Sequence, residues 1–173
     1  MVHEQAVARD APAVGALVRH AAGPDAAAAI VDMLRRCSVD TLFHRMLGLS
    51  RDAADQLVAP VRHGSPAGRV DLVAQRGCVV VGWGCLVPEN GVWEVALVVE
   101  DSWQGRGVGD QLARALLARA ADSGVLPVRA VTAPGNRRVA SLIGRCAEIV
   151  RPPTTTSDDI EYWLAPQERG RDT

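Results

Sequence analysis

The chain has 173 residues, 48% of them hydrophobic, enough for one domain that hides about 70% of its unfolded surface with no disulfide or metal staple. The 19 Lys and Arg residues stand against 20 acidic ones for a net charge of −1, so the broad field behind nonspecific nucleic-acid binding is missing. All 19 are Arg, and the absence of Lys excludes a Walker phosphate-binding lysine, a pyridoxal Schiff base and an amine nucleophile.

Cys37, Cys78, Cys85 and Cys146 form no C-x-x-C pair and have no neighbouring His pair, so neither a zinc site nor a thioredoxin-like motif is supported. The first residues lack an apolar h-region, and no apolar run approaches the roughly 18 residues of a membrane span. The expectation is a cytoplasmic protein with reduced thiols, a monomer or homodimer, with neither membrane nor nucleic acid as partner.

Taken in chain order, residues 2–8 read as an opening strand, and Asp10 caps a helix from Ala11 to His20 carrying Val14, Leu17 and Val18 at helical spacing. Gly23-Pro24-Asp25 starts a second helix that runs to Cys37. Ser38 caps a third over Val39 to Leu47, and Arg51 to Ala59 adds one more, stopped by Pro60. Val70 to Ala74, Cys78 to Val87 and Val92 to Val99 read as three strands of an antiparallel meander. A Gly-rich loop then opens a helix over Asp110 to Asp122, followed by a strand over Pro127 to Thr132, a helix over Arg137 to Cys146 and a last strand over Asp159 to Ala165. Helices, a meander and alternating β and α describe a single α+β domain over residues 1–165, with a polar tail over 166–173.

The chemistry lies in Glu94 to Gly109, a strand followed by Gln104-Gly105-Arg106-Gly107-Val108-Gly109 at the mouth of a helix. Glycines there let backbone approach a ligand, and the helix start offers unpaired N–H groups with partial positive charge, a setting for a pyrophosphate with Arg106 as a fixed cation beside it. Glycines before a helix also serve as a plain tight turn. A dinucleotide fingerprint is excluded, because Asp110 stands where its third glycine belongs and the preceding strands form hairpins.

The pattern Q-x-x-G-x-G over Gln104 to Gly109 resembles that of the GNAT superfamily of N-acetyltransferases. The similarity extends to Ala8-Arg9-Asp10-Ala11-Pro12-Ala13 as the family's first strand-to-helix junction, to Arg69 to Val87 as a hairpin, and to Asn136 as the Asn opening the helix near the cofactor. It implies a mixed, mostly antiparallel central sheet flanked by helices, with a splayed strand pair at the cofactor site. It further implies acetyl-CoA as cofactor, with Leu97, Val98 and Val99 pairing with its pantetheine arm in the manner of an added strand and Gln104, Gly105, Arg106, Gly107, Val108 and Gly109 cradling the pyrophosphate. Ser38 to Leu47, the Glu94 to Gly109 spacing and Asn136 resemble the branch that contains bacterial protein-lysine acetyltransferases. The acceptor implied is an amine, either a protein lysine or a small molecule.

An alkylammonium acceptor, with a pKa of about 10.4, must lose a proton before it attacks a thioester. A carboxylate partly withdrawn from water can take that proton, and the resemblance assigns the task to Glu94. The alternative use of Glu94 is a salt bridge on an outward-facing strand. Many family members protonate the leaving thiolate with a Tyr seven residues after the Asn; here that position is Ile143. Ser141 and Cys146 are the nearby substitutes, and the single Tyr, Tyr162, reads as a packing residue. The gap at Ile143 motivates a second hypothesis, a CoA-binding regulatory module with weak catalysis. The four His form no catalytic or metal-binding grouping, and Trp83, Trp93 and Trp103 read as one large ring per sheet element.

Overall fold

The computed structural model describes residues 16–46, 53–64 and 68–167. The described chain runs β1 (Leu17–His20), α1 (Gly23–Arg36), α2 (Val39–Met46), α3 (Ala53–His63), β2 (Val70–Arg76), β3 (Val79–Glu89), β4 (Val92–Val99), a 3-10 turn (Asp101–Trp103), α4 (Val108–Asp122), β5 (Val128–Thr132), α5 (Arg137–Cys146), β6 (Ala147–Thr155) and β7 (Ile160–Pro166). The seven strands form one sheet in the order β1-β2-β3-β4-β5-β7-β6, antiparallel throughout except between β4 and β5.

The meander is set by its turns. Asn90 and Gly91, both at positive φ (49° and 81°), join Glu89 to its partner Val92 in a two-residue turn whose twist suits a hairpin. One sheet face presents Val73, Trp83 and Val98 to Ile30, Met33 and Leu34 of α1 and to Val58 and Val61 of α3. The opposite face presents Ala74, Leu86 and Val128 to Leu112 and Leu116 of α4 and to Ile143 of α5. Each fully buried Leu or Ile here contributes roughly 1.5–3 kcal/mol. Beneath the first layer, the Arg69 guanidinium grips the Asp71 carboxylate at 2.7 and 2.9 Å, and the Trp83 indole N–H donates to the same carboxylate at 3.1 Å. Burial works against the charge on Arg69, and the contact with Asp71 outweighs it.

Four expectations need correction. Leu17 to His20 is a strand, not the end of a helix, because pairing with β2 (Leu17 with Gln75 through His20 with Leu72) overrides the local spacing of Leu17 and Val18. Pro60 does not stop α3, which continues to His63 because Val58 and Val61 on either side of it are buried against α1. The unassigned stretch after Cys146 is β6, an edge strand in which Pro152 and Pro153 are tolerated because its outer side needs no partner. Pro166 belongs to β7, opposite Ala147, instead of opening the tail. Residues 2–8, the junction over Ala8 to Ala13 and the tail beyond Gln167 lie outside the described residues.

Candidate active site

β4 pairs with β3 along its whole length, from Glu89 opposite Val92 to Gly82 opposite Val99. With β5 on its other side it shares one register position, Glu94 opposite Arg129. Beyond Glu94 the two parallel strands diverge, while β5 keeps β7 along its other edge, so Val95 to Val99 have no neighbouring strand on the β5 side.

The connection from β4 to α4 is braced from both flanks. Glu100 is nearly buried and accepts from Arg36 at 2.9 Å and from the Ser102 hydroxyl at 2.8 Å. The Asp101 carboxylate accepts from the Ser38 amide (2.8 Å), the Ser38 hydroxyl (2.7 Å) and the Thr41 hydroxyl (2.9 Å). Burial pushes Asp101 up, but these hydrogen bonds together hold it below the usual carboxylate range. Ser38 also caps α2, accepting from the Thr41 amide at 3.2 Å, as its place in the sequence implies. The Gln104 amide donates to Thr41 Oγ1 and to the Val99 carbonyl, each at 3.0 Å, while its oxygen accepts from Arg138 at 2.7 Å. Gln104 thereby ties β4, α2 and α5 together behind the loop.

Gly105 and Gly107 follow at φ of 71° and 79°, with open space where a Cβ would stand. Helix α4 starts at Val108 with Gly107 as its cap residue and no side-chain cap, so its leading amides face the cleft. The Asp110 carboxylate, in the first turn of α4, is neutralised by two Arg145 contacts of 2.8 Å. Those hydrogen bonds hold Asp110 below its ordinary range against the opposing effect of burial. Asn136 caps α5, its Oδ1 accepting from the Val139 amide at 3.2 Å.

These elements enclose a cleft of about 1170 Å³ lined by Leu97, Val98, Val99, Gln104, Gly105, Gly107, Gly109 and Asn136, with Arg137, Arg138 and Arg145 along its α5 side. Arg106 and Val108 are not among the lining residues. Arg106 lies over the Trp103 ring, 5.3 Å from its centroid, with Arg76 at 5.5 Å from the same ring, and the Val108 side chain is buried in the core.

Glu94 stands apart from this cleft, at the point where β4 and β5 meet. Its Oε2 accepts from Arg129 Nη2 at 2.9 Å, and the same guanidinium lies 3.6 Å from Glu89 and 3.7 Å from Glu161. Three carboxylates thus surround one cation on a partly exposed face. Ile143 is buried in the α4–α5 core, where it offers no proton donor. Ser141 accepts from Arg145 at 2.6 Å, and the buried Cys146 thiol, pushed up by burial, reaches the Asp110 carbonyl at 3.8 Å. Tyr162 packs on β7 opposite Ala130. Arg129 carries no local signal in the sequence, because its meeting with Glu94 depends on a parallel crossover, the two residues being 35 apart. Arg145 is signalled only by its i+4 spacing from Ser141. Among the described residues there is no cluster of His, Cys, Asp and Glu able to hold a metal, and no helix long and apolar enough to cross a membrane.

Comparison with curated proteins gives no significant match. Solved structures share the fold at low identity. The GNAT domain of S. lividans PAT has a TM-score of 0.71 and 20% identity, covering 84% of this chain and 87% of that one. AAC(6')-Ib, solved with paromomycin and acetyl-CoA, has a TM-score of 0.67 and 17% identity over 92% and 99%. The protein yncA from Salmonella typhimurium, solved with acetyl-CoA, has a TM-score of 0.66 and 18% identity over 90% and 96%. The model of the acetyltransferase (GNAT) family matches residues 29–147, well over half of the sequence, and the chain belongs to that family.

Proposed function

We propose that the chain transfers an acetyl group from acetyl-CoA to a primary amine by direct attack, with a protein lysine as the acceptor. The observation that carries this reading is the edge of β4 from Val95 to Val99, along which no strand pairs, leading into a helix start without a side-chain cap whose glycines leave open space. The chain's residues fit the group: a strand edge for the amide-bearing arm, helix amides for the diphosphate and arginines on the α5 side for its charge.

Bound acetyl-CoA supplies an activated thioester. In this proposal Leu97, Val98 and Val99 align the arm through their backbone, and a strand N–H polarises the thioester carbonyl. Gly105 to Gly109 hold the diphosphate through backbone amides, Gln104 braces the loop behind them with its own amide bonded to the Asp101 carbonyl, and Asn136 caps α5 beside the cleft. Glu94, oriented by Arg129, accepts the amine proton. Glu89 and Glu161 beside it favour a cationic acceptor, and the partial exposure of this face suits a side chain presented by another protein. The test is calorimetry with acetyl-CoA together with thiol release over a panel of lysine peptides and small amines; heat with the cofactor and turnover on the peptides is the expected result.

A second reading, a CoA-binding module with weak catalysis, is favoured by the ion pair that already occupies Glu94 and by the buried Ile143. It predicts binding heat without turnover.

A further inference from the structure

Between the diverging halves of β4 and β5 lies a second cavity of about 100 Å³, walled by Ala96, Leu97, Ala130, Leu142 and Ile143, with Thr132 also in its lining. Leu97, Val139 and Leu142 line both this cavity and the large cleft, so the two are neighbours along β4. Thr132 is 4% exposed, and its Oγ1 has no hydrogen-bond partner. An unsatisfied buried hydroxyl costs stability, and a wall that is apolar except for the Cys146 thiol, itself turned to the Asp110 carbonyl, gives it nothing to bond. An engineered apolar cavity of about 150 Å³ holds benzene, so about 100 Å³ admits a group of a few heavy atoms.

We propose that Thr132 is a further catalytic residue, whose hydroxyl donates a hydrogen bond to the thioester sulfur as it leaves. This rests on the acetyl-transfer reading. If the diphosphate is held at Gly105 to Gly109 and the arm follows β4 toward Glu94, the sulfur end is what reaches this cavity, and the carbonyl oxygen has a strand N–H as partner. As the amine nitrogen bonds to the acyl carbon, the carbon–sulfur bond breaks and its electron pair moves to sulfur. Of the two protons lost by the ammonium, one goes to Glu94 and then to solvent, and the other ends on sulfur. Thr132 keeps its own proton and stabilises the charge that builds on sulfur within apolar walls. The hydroxyl thus acts where Ile143 supplies nothing.

The experiment compares Thr132→Val and Thr132→Ser with wild type. Thr132→Val is expected to lower kcat about ten- to a hundredfold with little change in KM for acetyl-CoA, while Thr132→Ser keeps most of the activity. The thermal midpoint of the ligand-free Val variant is expected to match or exceed that of wild type, because an orphaned hydroxyl has been removed. Calorimetry at pH 9 with CoA and with its analogue lacking sulfur gives a readout independent of turnover: wild type prefers CoA, and Thr132→Val loses that preference. Unchanged kcat in Thr132→Val, a fall in its midpoint that parallels the loss of activity, or an unchanged CoA preference overturns the role of Thr132 alone. Absence of heat with CoA in wild type overturns the acetyl-transfer reading and this inference with it.

Discussion

Glu94 and Arg129 face each other at the only register position shared by β4 and β5, their carboxylate and guanidinium 2.9 Å apart. The contact joins the two parts of the sheet at the spot where the proposed proton acceptor stands. Glu94→Gln keeps the shape and removes the proton acceptor, so kcat is expected to fall about 10²- to 10⁴-fold with cofactor affinity unchanged. Steady-state thiol release and calorimetry on the same preparation check this, and normal turnover in the variant would remove Glu94 from the mechanism.

Gly107 sits at φ 79° with nothing within 4 Å of where a Cβ would be. Gly107→Ala therefore meets no clash and carries only backbone strain, about 1–2 kcal/mol in this region. Its methyl would also enter the space proposed for the diphosphate. A modest drop in thermal midpoint with a larger loss of acetyl-CoA affinity is the expected pair of results.

Gly84 tests the packing of α4. A Cβ there would lie 2.7 Å from Leu116 Cδ1, 3.1 Å from Leu97 Cβ and 3.2 Å from the Ala96 carbonyl oxygen, and only the first of these can swing aside. Gly84→Ala is expected to cost about 1–3 kcal/mol in urea unfolding, the usual range for overpacking.

Asp101 and Asp110 both titrate below the ordinary carboxylate value in the fold: Asp101 through Ser38 and Thr41 despite burial, Asp110 chiefly through Arg145. A carboxylate whose folded value is depressed adds stability that is present above the unfolded pKa of about 3.9 and is lost as pH falls through the folded value. Asp101→Asn and Asp110→Asn are thus expected to be less stable than wild type at pH 7, the gap closing as pH drops below about 4. Urea midpoints between pH 7 and 2.5 check the sign; a gap that widens in acid contradicts it.

Among the cysteines, Cys78 is exposed while Cys37, Cys85 and Cys146 are buried. Burial first, then Asp101 and Glu100, pushes the Cys37 thiol up to about 12, which leaves almost no thiolate at neutral pH. A thiol reagent should label one cysteine quickly in the native protein and all four after denaturation. The quick one sets the background of any thiol-release assay.

The parts of the fold visible in the sequence are those fixed by local chemistry. β4 and α5 have the bounds that periodicity assigns them, Val92–Val99 and Arg137–Cys146, because an Asn-Gly turn starts one and an Asn cap the other. The glycine loop and the start of α4 are legible because Gln104 to Gly109 are contiguous in the chain. Pairings between distant segments are not. Leu17 to His20 is a strand because β2 lies beside it, and β6 forms along β7 despite two prolines. Arg129 reaches Glu94 through a crossover that no short window contains. The unpartnered hydroxyl of Thr132 becomes visible only once α5 closes over β5.

The single rung between β4 and β5 also has a mechanical meaning. The sheet is two antiparallel leaves, β1 to β4 and β5-β7-β6, stitched at one point and otherwise spanned by helices. A molecule seated along the free edge of β4 would act as a second stitch. Filling the cleft should therefore slow amide hydrogen exchange in both leaves, out to the strands farthest from the contact.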